Sequence, residues 1–423
     1  MKKNYLILSV LIITFFICCK YNNDVVNNLP AKEQWSKTYD GSDFTVPQYP
    51  DLYSHYWDYV WSVKDYPNMA LRIHGAFPHC RYFSFSLYDD LDGSAINGMS
   101  DYEIVPDDGS GNPFVVTSDK ENYYTIYIVP PSATEAQIRA LNSKNLIRLK
   151  ERVDNANIMI RQYLGKDEYG GVDMPAIEAI DLTTMKEIPA PISLEGNVDD
   201  NVPPYEAKYF ESYDDVPFML APHGSYYPNN ATDYLYARTA IEDNQVLTFS
   251  FIPVPMPQSV EDYSTEHARY WSICLGSCMD TRSYYSINFD QAKVPESNKV
   301  TFVIVTKQNP AISEIEKRVK EKNEEGDNWQ IIEWDRTILS FNGRTKKNDE
   351  TIGNVITIMY RNILPDKKWE YSISQMEPTP YGDSYKIAYE DPNHKIASVV
   401  LGDYGPHGTK YKNEEFLNKF GRK

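Results

Sequence analysis

Four arginines stand in segments that are otherwise apolar, and their side chains have the clearest capacity for chemistry: Arg81, Arg161, Arg269 and Arg361. A buried guanidinium needs a partner, because an unpaired buried charge is costly. One interpretation is a structural ion pair inside each arginine's own domain. The other is an anion clamp, because arginine binds a carboxylate or a sulfate through two parallel hydrogen bonds. The acidic candidates for an internal pair are Asp89, Asp92, Asp101, Asp280 and Asp290.

Two histidines accompany these arginines at matched positions. His79 and His267 each precede an arginine by two residues, so both are candidates for ligand binding as well as for a structural role at the start of a strand. The seven histidines are otherwise scattered, and no two of them stand at metal-ligand spacing on one predicted helix. The sequence therefore predicts no metal ion and no other cofactor.

A short acidic loop offers a second kind of chemistry. Asp89, Asp90 and Asp92 precede Gly93, and oxygen-rich loops of this type can bind calcium. The loop lacks the spacing and the closing glutamate of a helix-loop-helix calcium site, which favours a solvated loop. Paired carboxylates also serve glycoside hydrolysis. We assign no catalytic residue, since the sequence contains neither a G-x-S-x-G elbow nor a phosphate-binding glycine fingerprint.

The first residues indicate export and lipidation. Lys2 and Lys3 precede an apolar run, residues 5–17, which is long enough for a secretory leader and too short to cross a membrane. The run ends at Cys18 and Cys19 and resembles a lipobox, in which the modified cysteine follows a small residue. Cys19 follows the small Cys18, so we expect Cys19 to be modified with acyl chains such as palmitate. Such a lipid would anchor the exported protein to the outer or inner membrane of a bacterial envelope.

Three cysteines follow the leader: Cys80, Cys274 and Cys278. Export makes a disulfide possible, and Cys274 with Cys278 is the candidate pair. The pair can close only if Gly276 and Ser277 form a tight turn, because an extended strand would hold the two thiols too far apart.

The composition excludes some partners. The 423 residues carry a formal net charge of −18, and loss of the leader, with its two lysines and no acid, makes the charge −20. Such a surface repels phosphate backbones, so nucleic acid is not an expected partner. Tyrosine, with 34 residues, is more than twice as frequent as phenylalanine, with 16. This excess is typical of strands and also of recognition surfaces.

Three segments recur in the same order in the two halves of the chain. The matched pairs are residues 78–85 with 266–273, 124–129 with 300–305, and 158–164 with 358–364. The mature chain is therefore predicted to be two copies of one module. Arg81 should then share a strand position with Arg269, and Arg161 with Arg361, because a one-residue slip would turn the side chain to the opposite face. We expect each arginine to meet a carboxylate or carbonyls inside its own module.

The elements that would position these residues are mostly strands. Runs of β-branched and aromatic residues, with one helical insert per module, predict a mainly β protein. We expect two tandem, related antiparallel β-sandwich or jelly-roll-like domains. The predicted organisation is a leader over residues 1–19, a flexible tether over 20–40, a first module over 41–195 and a second module over 205–423.

The repeated segments resemble a group of uncharacterised bacterial exported proteins with a duplicated domain of unknown function. That domain is built around an A-R-Y-W-S-type strand and a later R-N-x-L-P strand. The matching segments are residues 79–84, 109–114, 169–175, 233–236, 268–273 and 361–365. The resemblance implies β-sandwich domains and brings no activity or cofactor with it.

Three functions stay open at this point. The leading hypothesis is a non-catalytic envelope lipoprotein that binds a small or glycan-like ligand in a cleft between modules rich in Tyr and Trp. A carboxylate-dependent hydrolase and a purely structural surface protein are the alternatives. A cleft with two carboxylates at bond-flanking distance would favour the enzyme, whereas an open aromatic platform would favour binding.

Overall fold

The computed structural model describes most of the chain outside the leader. The described residues are 29–41, 49–107, 109, 111–117, 121–150, 153–196, 213–222, 227–264, 266–295, 298–342, 346–380 and 384–421. Cys19, its predicted lipid and residues 20–28 of the predicted tether lie outside these ranges. Within the described residues, no helix is both long and apolar enough to cross a membrane.

Module 1 is a sandwich of two five-stranded sheets. Its elements are α1 (Ala31–Gln34), β1 (Ser36–Tyr39), β2 (Ser54–Ser62), β3 (Met69–Ala76), β4 (Tyr82–Asp89), β5 (Ala95–Ser100), β6 (Tyr123–Val129), α2 (Glu135–Leu141), β7 (Asn145–Arg148), β8 (Asn155–Tyr163), β9 (Ala176–Asp181) and β10 (Lys186–Ile188). The sheet that faces the second module, here called the inner sheet, has the order β1-β2-β8-β4-β5. The outer sheet has the order β10-β9-β3-β6-β7.

Module 2 repeats this plan. Its strands are β11 (Asp215–Pro217), β12 (Met219–Leu220), β13 (Thr232–Ala240), β14 (Gln245–Phe251), β15 (Tyr270–Ser277), β16 (Ser283–Asn288), β17 (Val300–Thr306), β18 (Asn328–Trp334), β19 (Leu339–Asn342), β20 (Lys346–Thr351), β21 (Val355–Ile363) and β22 (His407–Lys412). Its helices are α3 (Phe289–Ala292), α4 (Ile312–Glu324), α5 (Ser384–Glu390), α6 (Pro392–Lys395), α7 (Ala397–Val400) and α8 (Asn413–Lys419). The inner sheet runs β12-β13-β21-β15-β16, the outer sheet runs β11-β22-β14-β17-β18, and β19 with β20 forms a separate hairpin.

The two inner sheets have the same strand order at every position, and the outer sheets share four of their five positions, which confirms two tandem related β-sandwich domains. The outer sheets differ at one edge, where module 1 has its last strand, β10, and module 2 has its first strand, β11. The prediction of purely antiparallel sheets needs one correction. β6 pairs with β7 in parallel, and β17 pairs with β18 in parallel. The helical insert explains this difference, because α2 and α4 each supply the crossover that a parallel pair requires.

The register of the inner sheets places the matched arginines at equivalent positions, as predicted. Arg161 lies in β8 opposite Tyr56 and Ser84. Arg361 lies in β21 opposite Tyr234 and Ser272. Just before β4 and β15, the amides of Arg81 and Arg269 donate to the carbonyls of Tyr163 and Ile363, respectively.

Both faces of each inner sheet are buried. Trp57 and Trp61 of β2 and Ile158 of β8 point into the core of module 1. Residues between them, such as Tyr56 and Met159, face the other module and are buried there. This arrangement explains why the inner strands do not read as a clean alternation of apolar and polar residues.

The predicted flexible tether, residues 20–40, includes residues that belong to the folded part of module 1. Ala31–Gln34 forms α1, and Ser36–Tyr39 pairs with β2 as an edge strand of the inner sheet. Trp35 between them is buried, and its indole Nε1 donates to the carbonyl of Pro175 at 2.7 Å. The aromatic side chain supplies the apolar area that fixes this segment to module 1.

Candidate functional site

The two inner sheets face each other and enclose a layer of tyrosines. Tyr56 and Tyr163 of module 1 share a hydrogen bond of 2.9 Å between their hydroxyls. The ring of Tyr163 lies 5.4 Å from that of Tyr270 in module 2. All three tyrosines are buried. The tyrosine excess in the sequence therefore serves the interface between modules as well as the strands.

Two short segments, here called the arms, cross from one module onto the inner sheet of the other. Arm 1 comprises residues 49–53 before β2, and arm 2 comprises residues 227–231 before β13. Each begins with a Tyr-Pro pair, and both tyrosines are in the left-handed region, with φ of 53° at Tyr49 and 48° at Tyr227. The same backbone bonds hold both arms. The matched donor and acceptor pairs are Tyr49 N–Thr281 O with Tyr227 N–Gly93 O, Ser54 N–Asp51 O with Thr232 N–Asn229 O, and Leu164 N–Tyr53 O with Leu364 N–Ala231 O.

Arm 1 brings a carboxylate to Arg361. Asp51 is fully buried, and its Oδ2 lies 2.7 Å from Nη1 of Arg361. The same oxygen accepts hydrogen bonds from Tyr270 at 2.8 Å and from Ser272 at 2.6 Å. Arg361 Nη2 also donates to the Tyr49 carbonyl at 2.8 Å. We call this end of the interface the filled end.

Arm 2 brings an amide to the equivalent position. Asn229 stands where arm 1 has Asp51, as the matched backbone bonds show. Arg161 therefore donates to neutral groups, the Tyr227 carbonyl at 2.6 Å and the Tyr88 hydroxyl at 3.0 Å. Its guanidinium carbon also lies 4.5 Å from the centre of the Tyr56 ring, a cation–π contact. We call this end the open end.

The other arginine pair also spans the interface. Arg269 of module 2 forms a buried ion pair and hydrogen bond with Asp101 of module 1. Burial raises the pKa of the Asp101 carboxyl, and the nearby Arg269 guanidinium opposes that rise. Arg81 instead donates to the carbonyls of Arg269, at 2.6 Å, and Pro257, at 2.9 Å.

The expectation that each arginine would be satisfied inside its own module is therefore wrong. Each of Arg81, Arg161, Arg269 and Arg361 has a partner in the other module. The reason lies in the sheets, since these arginines project from the inner faces, which pack on the other module. Neither arginine pair could be assigned to the interface without knowing which face of the sheet was covered.

A cleft of about 1270 Å³ lies at the open end of the interface. One wall is formed by β4 and β5 of module 1, with Tyr82 and Ser84 on the wall. The other wall belongs to module 2 and includes arm 2 and Arg269. Tyr102 and Tyr263 add aromatic surface, which agrees with the predicted aromatic lining, although no tryptophan lines the cleft among the described residues.

A difference in side-chain size between the arms explains why the cleft is open. At the filled end, the Tyr53 hydroxyl donates to the carbonyl of Ser286 at 3.2 Å and accepts from Gln291 at 2.5 Å. Its side chain therefore covers β16 and the start of α3. At the open end, Ala231 occupies the position of Tyr53 and lines the cleft. A small residue in place of a tyrosine leaves that volume free.

Apart from Nε of Arg269, whose guanidinium pairs with Asp101 through Nη1, two buried polar atoms in the cleft wall have no partner within the described part of the chain. They are Oγ of Ser84 and Nδ2 of Asn229. Both residues line the cleft, and their exposed fractions are only 2% and 3%. At the filled end, by contrast, the equivalent Ser272 hydroxyl donates to Asp51. Buried polar groups are normally satisfied, so these two atoms mark a place where a ligand can bond.

The two predicted histidines are not brought together. His79 is exposed, and its backbone bonds to the loop of Gly170. His267 stacks on Trp369 with ring centres 4.2 Å apart, and its Nδ1 lies 3.3 Å from the carboxylate of Asp366. Neither ring lines the cleft, so the structure gives these residues local packing and hydrogen bonding.

The carboxylates of the acidic loop accept hydrogen bonds from backbone amides of the same loop. Asp89 accepts from the amide of Leu91 at 3.0 Å, and Asp92 accepts from the amide of Ser94 at 2.8 Å. Asp90 is buried, away from the other two. No group of three potential metal ligands occurs among the described residues, and these aspartates are not brought together as calcium ligands would be.

The predicted disulfide is absent from the described structure, in which Cys80, Cys274 and Cys278 are free thiols. Cys274 lies inside β15, whose extended backbone continues to Ser277. The tight turn that the pair required does not form. Burial raises the pKa of the Cys274 thiol to about 11, which makes it unreactive at neutral pH.

The arms are the part of the candidate site that the sequence patterns above did not predict. The signal was present, because residues 49–51 read Tyr-Pro-Asp and residues 227–229 read Tyr-Pro-Asn, each three residues before its strand. Comparing the segments before β2 and β13 would have revealed it as a fourth repeat.

The comparisons with known proteins concern the fold. No family model and no curated protein matches the chain. Among solved structures, the chain is similar to an uncharacterised protein from Burkholderia cenocepacia, with 12% identity and a TM-score of 0.47 over 91% of this chain and 83% of that one. It is also similar to the VPA0106 protein from Vibrio parahaemolyticus, with 8% identity and a TM-score of 0.40 over 87% of this chain and 90% of that one.

Proposed function

We propose that this chain is a lipid-anchored protein of the bacterial envelope that binds a small or glycan-like ligand in the open cleft, without transforming it. The cleft between the modules carries this proposal, because it combines volume, aromatic surface and unsatisfied polar atoms. A volume of about 1270 Å³ exceeds the usual range for drug-sized ligands and suits a compact ligand with surrounding water. The anchor rests on the leader and on Cys19, as argued from the sequence.

The chemical character of the walls supports a polar ligand with apolar faces. Tyr102 and Tyr263 offer aromatic surface and hydroxyls, and tyrosine provides rigid contact area with one polar tip. Asn97 and Asn230 offer amide groups at exposed positions of the same cleft. Tyrosine rings beside asparagine amides suit sugars and small polar metabolites, because the amides can bond to both the donors and the acceptors of such a ligand.

A screen with one closing variant tests this proposal. The mature protein is exposed to neutral sugars, acidic sugars, small carboxylates and calcium, and the unfolding temperature is measured. Any true ligand should raise that temperature in the wild type and not in Ala231→Tyr, which places at the open end the side chain that already fills the other end. Ala231→Ser is the matched control and should keep the response. If Ala231→Tyr keeps the full response, the ligand does not bind in the cleft and the proposal is contradicted.

A carboxylate-dependent hydrolase is the second candidate. Glu103, Asp233, Glu266 and Asp366 line the same cleft, and hydrolysis of a glycosidic bond needs two carboxylates at its sides. Asp233 accepts a hydrogen bond from Ser374, and Glu103 accepts one from the amide of Ser100. Release of product from a ligand found in the screen, lost in Glu103→Gln or Asp233→Asn, would favour this candidate over binding alone.

The lipid anchor has its own test. Mass spectrometry of the N-terminal peptide should find the acyl chains on Cys19, and Cys19→Ala should release the protein from membranes. A soluble product whose N-terminus lies well beyond residue 20 would contradict the lipid anchor. That result would not bear on ligand binding in the cleft.

A further inference from the structure

We propose that the floor of the open cleft binds the carboxylate group of a small acid beside the Asn229 side chain, whose amide occupies the position of the buried Asp51 carboxylate of the filled end. This inference rests on the proposed binding function and names the chemical group that the ligand carries. It follows from comparing the two ends residue by residue.

The filled end shows what the surrounding side chains bind. There, one carboxylate oxygen of Asp51 accepts from the hydroxyls of Tyr270 and Ser272 and pairs with the guanidinium of Arg361, all within 2.8 Å. Two hydroxyl donors and one buried cation form a complete receptor for a carboxylate. In this half of the molecule the chain supplies that carboxylate itself.

The open end keeps the receptor and lacks the anion. Tyr82, Ser84 and Arg161 occupy the positions of Tyr270, Ser272 and Arg361 in the inner-sheet register. Asn229 replaces the aspartate, and its Oδ1 is already engaged, since it accepts from the Tyr82 hydroxyl at 3.4 Å and from the amide of Ala231 at 3.1 Å.

Donors are therefore in excess at the open end. Nδ2 of Asn229 is buried without a bond in the described structure, and Oγ of Ser84, which lies near the Tyr82 hydroxyl, has no partner within ordinary hydrogen-bond distance. Arg161 pairs with Ser84 across β8 and β4, so its guanidinium lies behind the cleft floor. No carboxylate among the described residues lies within ion-pair distance of Arg161, and Asp58 on the same face is near enough for that guanidinium to oppose the rise of its pKa. An acceptor group that reaches the floor meets the Asn229 amide and the Ser84 hydroxyl, with the positive charge of Arg161 behind them.

The surroundings favour a compact acid with a single negative charge. Ala231 leaves the floor accessible, and Lys367 and Lys368 add positive charge to the module 2 wall. Glu103 and Glu266 line other parts of the cleft and would repel a second anionic group. A sugar acid or a small hydroxy acid fits this pattern, with its carboxylate on the floor and its hydroxyls toward the tyrosines.

Acetate, the carboxylate group alone, is the probe that tests this inference, with acetamide and chloride at equal ionic strength as controls. Line broadening of labelled acetate and the unfolding temperature are measured for the full mature chain. The wild type should respond to acetate and not to acetamide. Asn229→Asp should abolish the response, because it supplies the fixed carboxylate that Asp51 supplies at the other end. Ser84→Ala should weaken acetate binding about tenfold, as expected for loss of one hydrogen bond to a charged group.

The outcomes separate this inference from the proposed function. Equal acetate responses in the wild type, in Ser84→Ala and in Asn229→Asp would overturn the carboxylate site. If neutral compounds still bind and Ala231→Tyr still removes them, the cleft remains a binding site for another class of ligand. If Asn229→Asp does not fold, the comparison of wild type with Ser84→Ala decides the matter alone, because that change removes a single hydroxyl.

Discussion

The filled end and the open end of the module interface are built from the same parts. Each has a Tyr-Pro arm, a tyrosine and a serine on one strand and an arginine on the next. The arms differ at three of their five positions, and two of these account for the contrast, because Asp51 and Tyr53 at one end correspond to Asn229 and Ala231 at the other. The first difference removes an internal carboxylate and the second removes a ring.

This difference shows how a duplicated domain can acquire a site without a new fold. Packing of two identical copies would make both ends alike, filled by the same residues. Changes confined to one arm leave the other end free to hold the modules together. Under the proposed function, the structural and the binding roles are divided between two ends that the fold makes equivalent.

The largest expected effect is on the filled end. Asp51→Asn removes the carboxylate from Arg361 and leaves the guanidinium buried without compensation, so the free energy of unfolding should fall by about 3–5 kcal/mol. Denaturant titration of the mature protein measures this fall. A loss below about 1 kcal/mol would mean that Arg361 is satisfied by carbonyls, as Arg161 is, and would remove the electrostatic distinction between the ends.

A somewhat smaller effect is expected at the second arginine pair. Arg269→Ala leaves Asp101 buried without its cation, and we expect destabilisation of about 2–3 kcal/mol at pH 7. The loss should shrink in acid, because burial already raises the pKa of Asp101 and protonation removes the unpaired charge. Full stability of Arg269→Ala combined with loss of ligand binding would instead favour the anion-clamp interpretation of this residue.

The next prediction concerns the pH dependence of protein stability, which we attribute to Asp58 at the open end. Burial raises the pKa of Asp58 to about 7, against the opposing influence of Asn157 and Arg161. A raised carboxyl pKa means that its contribution to stability is present below the unfolded-state pKa and is lost as pH rises through 7. Asp58→Asn should therefore stabilise the protein at pH 8, by about 2 kcal/mol, and leave stability near pH 4 unchanged.

The control for that prediction lies at the filled end, where Tyr236 occupies the position of Asp58. Tyr236→Phe should leave the slope of stability between pH 5 and pH 8 as it is in the wild type, because no carboxyl is removed. A wild-type slope that persists in Asp58→Asn would show that another group titrates in this range.

The smallest expected effect on stability comes from reducing the side chain at Tyr53. Tyr53→Ala opens the filled end and should cost only about 1–2 kcal/mol, since the ring is half-buried. It should not create a second site for carboxylates, because Asp51 already occupies the anion position. Acetate binding with doubled stoichiometry in Tyr53→Ala would contradict that assignment.

Much of the fold could be predicted from the sequence, because local periodicity and repetition carry it. The matched strands around Arg161 and Arg361 appear at the predicted positions, and both helical inserts are present. The partners of these arginines could not be predicted, because they depend on which sheet face the other module covers. The disulfide failed for a related reason, since β15 stays extended from Cys274 to Ser277 and no tight turn brings Cys278 back to Cys274.

The candidate site was predicted only in outline. An aromatic cleft between modules follows from the duplication and the tyrosine excess, but its location depends on one small residue, Ala231, which no sequence pattern singles out. The acids and histidines chosen from the sequence do not line the cleft, since Asp92 stabilises its own loop and Asp101 is held in the buried ion pair with Arg269. The unsatisfied Ser84 hydroxyl becomes visible only when the two ends are compared.

Amide hydrogen exchange with and without the strongest stabiliser from the screen tests the central claim most directly. We predict that the ligand slows amide exchange in β5 and arm 2, which line the open cleft. Exchange in β16 and arm 1, their equivalents at the filled end, should not change. The same ligand should produce no protection in Ala231→Tyr. Protection that falls equally on both ends, or on the filled end alone, would contradict the claim that the divergence of one arm created the binding site.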